Sequence, residues 1–310
     1  MNLSAAVVVS FGGLALTMRR AMSANSYHQS SSRLISPQQL QPKIGKAKIF
    51  DATWFMPNTP RDAEEEFKLK HIPTSLRFNL DRLSDQDSPL PHMLPNPEWF
   101  ALQMDQMGVS PEDEIVVYDT LGQFSAPRAF WHLRVMGARN VLLLDGGLPA
   151  WERVGGELES GSQCPSQPNK PGSWLLDRAP LRTDQVVSVQ QIERGDLDVV
   201  DARPAGRFLG QEAEPRPGLK SGRIPHSRNV PFKLLLNGDG TFKPKQELER
   251  VFESAGVDLN SPKLVTSCGS GTTAAVLSFA LEHLLGKNAP LYDGSFSEYA
   301  DVKADRPVIV

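Results

Sequence analysis

The run Leu264-Val-Thr-Ser-Cys-Gly-Ser-Gly-Thr-Thr-Ala-Ala-Val-Leu-Ser-Phe-Ala-Leu-Glu-His-Leu-Leu-Gly286 decides the fold. Val265 and Thr266 are β-branched and lead in as a short strand. From Ala274 the apolar residues continue as a buried helix that Gly286 stops. Between them lies a loop of small residues that opens on Cys268. A thiol at the mouth of a strand–loop–helix turn sits where backbone N–H groups converge and the helix dipole is positive. Both effects favour the thiolate, the reactive form.

The same template occurs earlier in the chain. Its first copy runs through Ile49-Phe-Asp51-Ala, His71-Ile-Pro, Ile115-Val-Val-Tyr-Asp119 and Leu144-Asp145-Gly-Gly. The second runs through Val199-Val-Asp201-Ala, Arg223-Ile-Pro-His226, Leu264-Val-Thr-Ser-Cys268 and Tyr292-Asp293-Gly. Asp51 lies 68 positions before Asp119, and Asp201 lies 67 before Cys268. Asp119 to Gly137 and Cys268 to Gly286 are both 18 positions. Separations held this closely identify a duplication. Each copy alternates β-branched runs with amphipathic helices, such as Pro97–Met107, Ala126–Val135 and Lys245–Ala255. The fold class is therefore α/β, with two tandem domains, each a mainly parallel sheet flanked by helices. Ligands of such sheets bind beyond the carboxyl ends of the strands, where Cys268 stands.

The copies diverge at that position, where Asp119 takes the place of Cys268. Its loop, Thr-Leu-Gly-Gln-Phe-Ser-Ala-Pro, offers neither a nucleophile nor a small-residue anion cradle. One half should carry the chemistry, and the other should donate contacts across the cleft.

Composition narrows the classes. The 310 residues carry a net charge of -3, which is no footprint for nucleic acid. Two cysteines, Cys164 and Cys268, make neither a disulfide framework nor a zinc site. The first 50 residues contain no Asp or Glu, but hold Arg19, Arg20, Arg33 and many serines. That pattern predicts a mitochondrial transit peptide over residues 1–35. Its apolar stretch, Ala5 to Leu16, is too short to span a bilayer. A secretory signal is the competing reading, opposed by the missing basic residue ahead of that stretch. Met18 and Met22 offer later starts that would leave a cytoplasmic form. Residues 36–155 are expected to form the first domain, 156–182 a Gly-, Ser- and Pro-rich linker containing Cys164 as a bystander, and 183–310 the catalytic domain.

Three chemistries compete for the cysteine loop. A Cys-x5-Arg phosphatase or arsenate reductase needs an arginine where this chain has Ala274. A Cys–His hydrolase needs a base near the thiol, and His92 or His226 would have to supply it. Sulfur transfer through a persulfide fits best. Ser270, Thr272 and Thr273 offer hydroxyls to the diffuse charge, while Gly269 and Gly271 let the backbone curl. The bland alternative is a buried structural cysteine in a Gly-rich turn.

The loop Cys-Gly-Ser-Gly-x-Thr-Ala, the duplication and the silent first copy resemble the tandem rhodanese family, and within it the 3-mercaptopyruvate sulfurtransferases. The resemblance covers about Ile44 to Val302. Thiosulfate-preferring members carry Cys-Arg-Lys-Gly, whereas Gly269-Ser270 is uncharged here. Asp51-Ala-Thr-Trp-Phe, Arg61-Asp-Ala-x-x-x-Phe and His71-Ile-Pro match the start of the family's first domain. Asn79-Leu-Asp81 and Ser88-Pro-Leu-Pro-His92-Met-Leu-Pro match its segment supplying an Asp and a His near the thiol. Gly206-Arg207-Phe and Glu214-Pro-Arg216 match the two substrate-clamping arginines. Arg223 and Ser227 depart from the family's Gly-His-Ile-Pro-Gly segment, and Thr272 replaces a common Val.

The resemblance implies Cys268 as nucleophile and Ser270, His92 and Asp81 as a proton relay. It implies Arg207 and Arg216 on the carboxylate and keto oxygen, with Gly269, Gly271, Thr272 and Thr273 completing the substrate site. Guanidinium forks suit a carboxylate in a way that lysine does not. His71 and His226 read as structural. No metal or organic cofactor, nucleic acid or membrane is implied. The expected partners are 3-mercaptopyruvate as donor and a thiol, a thioredoxin-like protein or cyanide as acceptor. A thiosulfate:cyanide sulfurtransferase and a sulfur relay feeding tRNA thiolation are the alternatives.

Overall fold

The computed structural model describes residues 33–162 and 167–310. Most of the expected leader and Cys164 lie outside the described residues. Strands are β1 Leu34–Ile35, β2 Lys48–Asp51, β3 Ser75–Arg77, β4 Glu114–Tyr118 and β5 Asn140–Leu144. They continue as β6 Val186–Val187, β7 Asp198–Asp201, β8 Arg228–Asn229, β9 Leu264–Ser267 and β10 Leu291–Tyr292. They form two five-stranded sheets, ordered β1-β5-β4-β2-β3 and β6-β10-β9-β7-β8, with every pairing parallel. The second order is the first shifted by five, so the duplication read from spacing is a duplication of topology. Among the described residues, no helix is long and apolar enough to cross a membrane.

The central strands are apolar on both faces, as parallel strands covered by helices must be. Ile115, Val116, Val117 and Tyr118 of β4 are all buried, as are all four residues of β9. Asp51 pairs with Tyr118 and Asp201 with Ser267. Asp119 and Cys268 therefore each occupy the first position beyond a central strand. One hydrophobic core runs through both halves. At their junction the rings of Phe130 and Phe279 meet edge to face at 5.0 Å, and Phe279 also stacks on Phe242.

Two expectations change. Leu34 and Ile35, placed in the leader, pair with Leu143 and Leu144 as a strand of the first sheet. The linker is not a free spacer, because residues 173–177 form a helix that folds back on the first half. Its Trp174 is buried edge-on against Phe100 and donates through Nε1 to the Met136 carbonyl. The Asp105 carboxylate accepts the N–H groups of Gly172 at 2.7 Å and Trp174 at 3.0 Å. A single buried indole outweighs a polar, proline-rich composition.

Asp119 shows what its loop does instead: the backbone closes around the aspartate's own carboxylate. Oδ2 accepts the N–H groups of Phe124, Ser125 and Ala126, each at 2.8 Å, and Oδ1 accepts that of Leu121 at 2.9 Å. Small residues are not required, because the carboxylate draws the backbone in around itself.

Candidate active site

Cys268 is buried at the end of β9, on a loop fastened from behind. Its N–H donates to Ser295 Oγ at 3.2 Å, and its carbonyl accepts from Phe296 N–H at 2.9 Å. The Gly269 carbonyl accepts from the N–H and the hydroxyl of Ser297. These bonds fix the loop from the segment after β10 and leave its front to a cavity of about 790 Å³. Cys268, Gly269, Ser270, Thr272, Thr273, Arg207 and Arg216 all line that cavity. Trp54, Met56 and Phe124 of the first half, with Phe232 of the second, supply apolar wall.

Gly271 is the exception, since it does not line the cavity. Its φ is +78°, the left-handed region, and a Cβ there would lie 2.4 Å from Arg128 Nη1. The loop turns at Gly271 because an arginine of the first half is packed behind it.

The two arginines are held differently. Arg207 donates to Glu214 through Nε at 3.1 Å and also through Nη2, leaving Nη1 unused. Glu214 is buried and also accepts from Arg203 at 2.7 Å; Arg203 in turn is bound to Asp201 and lies over the Phe296 ring. That network aims Arg207 along the loop, where its Nη2 would stand 2.8 Å from a Cβ on Gly269. Arg216 makes no ion pair within 4.0 Å among the described residues. Burial lowers its pKa, the nearby Arg207 charge adds to this, and the Asp81 and Glu214 carboxylates act against it. It stands as an uncommitted cation facing the thiol.

His92 and Asp81 come from the first half, and His92 reaches the loop at Ser270 and Thr272. His92 Nδ1 lies 3.1 Å from Ser270 Oγ and 2.9 Å from Thr272 Oγ1. Its Nε2 lies 3.1 Å from Asp81 Oδ1. Trp54 stands edge-on to the imidazole at 4.7 Å and donates to Asp81 Oδ2 at 3.0 Å. Burial depresses the His92 pKa, and the Asp81 carboxylate only partly offsets this. Burial pushes Asp81 up, but its bonds to His92 and Trp54 and the Arg216 charge outweigh it, so its pKa falls below the usual range. A carboxylate only accepts, so a neutral His92 carries its proton on Nε2 and presents a lone pair at Nδ1. Ser270 and Thr272 compete for that lone pair, which leaves one hydroxyl free at a time.

The residues expected to act together are thus adjacent, while His71 and His226 are not among them. The His71 ring is buried, with Nδ1 2.7 Å from the Phe67 carbonyl. Four further residues complete the surroundings: Trp54, Glu214, Arg128 and Asp293. Arg128 carried a readable signal, because a guanidinium within Ala126-Pro-Arg-Ala-Phe-Trp131 lies in an apolar helix and needs a buried partner. Asp293 gave none beyond its Asp-Gly turn, since its partner is remote in sequence.

Comparison with known proteins gives the family. A family model described as a rhodanese-like domain matches residues 36–154 and again 188–301. The chain is 40% identical over 271 residues to the 3-mercaptopyruvate sulfurtransferase of Rattus norvegicus, covering 86% of this chain and 88% of that protein. It is 37% identical to thiosulfate/3-mercaptopyruvate sulfurtransferase 1, mitochondrial, of Arabidopsis thaliana, covering 84% and 73%. The crystal structure of SseA from Escherichia coli, a 3-mercaptopyruvate sulfotransferase, superposes with a TM-score of 0.76 at 36% identity, covering 86% of this chain and 99% of that one.

Proposed function

The chain belongs to the rhodanese family as a 3-mercaptopyruvate sulfurtransferase, and we propose that it works through a persulfide on Cys268, passed to a thiol or to cyanide. The observation that carries this reading is that Cys268, Arg207, Arg216 and Ser270 line one cavity, with Ser270 in turn within hydrogen-bond distance of His92, which is paired with Asp81.

Arg216 and the unused Nη1 of Arg207 receive the substrate carboxylate and keto oxygen. The thiolate of Cys268 attacks the substrate sulfur. The new S–S bond forms as the C–S bond breaks, and the electron pair of that bond leaves as the enolate of pyruvate. Ser270 lies between the reacting atoms and His92. It passes the thiol proton to Nδ1, and the imidazolium beside Asp81 returns a proton to the enolate carbon. The proton removed to make the nucleophile is thus available to complete pyruvate. In the second half-reaction an acceptor thiolate or cyanide attacks the outer sulfur, and Cys268 leaves as thiolate.

The relative named for both donors makes thiosulfate a second substrate to test. The uncharged Gly269-Ser270 supports mercaptopyruvate as the better one. We further propose that residues ahead of Arg33 act as a mitochondrial leader, on their acid-free, Arg-bearing composition. Intact-mass measurement after incubation with mercaptopyruvate tests the central step. One added sulfur, mapped to Cys268 and discharged by a thiol or cyanide, is expected. Turnover retained in Cys268→Ser would refute it.

A further inference from the structure

His92 is a non-glycine residue in the left-handed region, with φ +63°. Such a conformation is strained and persists only where surroundings impose it. Two groups impose it here. Arg128 Nη2 donates to the His92 carbonyl and, at 2.5 Å, to Asp293 Oδ1. Asp293 Oδ2 accepts the N–H of Leu94 at 2.9 Å. The segment that presents His92 is therefore gripped on both sides of Met93, by an ion pair with one member in each half of the molecule.

The same pair supports the cysteine loop. Arg128 is fully buried, with its guanidinium 4.4 Å from the centre of the Trp131 ring and its Nη1 against Gly271. Nε and Nη1 have no hydrogen-bond partner among the described residues. Asp293 is two residues before Ser295, which receives the Cys268 N–H. One ion pair thus touches the imidazole's backbone and the turn that carries Ser270 and Thr272.

We propose that Arg128 and Asp293 are positioning residues, which set the distance from His92 to Ser270 and Thr272 and so govern proton transfer in the sulfurtransferase reaction. The inference rests on the relay reading of His92. Neither residue lines the cavity, so donor binding by Arg207 and Arg216 does not depend on them directly. The charged or titratable groups acting on His92 are Asp81, Arg128 and Arg216, and buried His132 interacts with both Arg128 and His92. Removing the Arg128 charge makes the imidazolium easier to form.

The test compares Arg128→Met and Asp293→Asn with the parent enzyme and with His92→Asn. In the positioning variants kcat with mercaptopyruvate should fall on the order of 100-fold, as a misplacement of about 1 Å can cause, with KM within about threefold. In Arg128→Met the acid limb of kcat should also move to higher pH, which lost packing alone would not produce. Unchanged kcat with an unchanged acid limb in folded Arg128→Met overturns the proposal. Failure of both variants to fold also overturns it, since the pair would then be a strut for stability. If His92→Asn itself keeps kcat and its acid limb, the relay reading has failed instead.

Discussion

After β4 the backbone closes around a carboxylate, and after β9 the equivalent backbone carries a thiol. Asp119 satisfies four N–H groups with its own side chain, so the first loop is a site already occupied by the chain. Cys268 is shorter and leaves room in front, which the cavity takes up. The comparison extends to what each half lays over the other's loop. Leu94 and Phe242 each lie three residues before a helix, at Pro97 and Lys245. The Leu94 N–H donates to Asp293, and the Phe242 N–H donates to Asp145, both at 2.9 Å. Two residues earlier stand His92 over the cysteine loop and Gly240 over the aspartate loop. Gly240 meets Gly122, where a Cβ on either would lie 3.1–3.2 Å from the other's Cα. The halves clasp each other reciprocally, and only one clasp carries an imidazole.

Exchanging the cargo should have the largest effect. Cys268→Ser is expected to lower transfer by about 10⁴-fold or more, as removal of a nucleophile does. Asp119→Cys should not create a second active site, since its loop faces Gly240 and not a histidine. Labelling of both thiols by mercaptopyruvate would break the comparison.

Making the active clasp resemble the silent one comes next. His92→Gly keeps the backbone content, because φ is already positive, and should lower kcat by roughly 10²–10⁴-fold. The parent's acid limb should lie below the ordinary imidazole range, because burial disfavours the charged ring and protonation removes the Nδ1 acceptor. That limb should vanish in the variant, as a pH profile of kcat would record.

Arg216→Ala, without an ion-pair partner to rearrange, should cost about 1.5–3 kcal/mol in kcat/KM for mercaptopyruvate, the worth of hydrogen bonds to a charged group. A persulfide already on Cys268 should discharge to cyanide at a nearly unchanged rate. Single-turnover kinetics separates the two half-reactions.

The smallest effect distinguishes the two aspartates of the clasp. Burial raises the Asp145 pKa from 3.8 to about 6. Between those values the unfolded chain has lost its proton and the folded one has kept it, so stability falls as pH rises through that window. Asp145→Asn retains an acceptor for the Phe242 N–H and should add about 1–2 kcal/mol at pH 7, discounted for partial exposure. Denaturant melts at pH 4 and pH 7 should show the gain only at the higher pH. Asp293→Asn should instead lower stability, because it leaves Arg128 buried without its carboxylate.

Much of this was legible in the chain. β-Branched runs at repeated spacings revealed two parallel α/β halves, because buried strands must be apolar and duplicated turns recur at fixed intervals. Cys268 and its loop residues were readable because they are contiguous. Arg207 and Arg216 were readable through a local motif, though not their difference. Glu214 commits one arginine and leaves the other free, a distinction made by side-chain geometry. Trp174 was hidden by the composition around it.

The sequence by itself determined the duplication, the strand–loop–helix turn and the replacement of a thiol by a carboxylate in one copy, because these follow from local pattern and spacing. Only the tertiary structure decided that the Asp119 loop is a filled cradle, and that His92, backed by Asp81, meets Ser270 across 178 positions of chain. It alone joined Arg128 to Asp293. Such pairs are selected by burial, where an unpaired charge is too costly to keep, and burial is a property of the packed molecule.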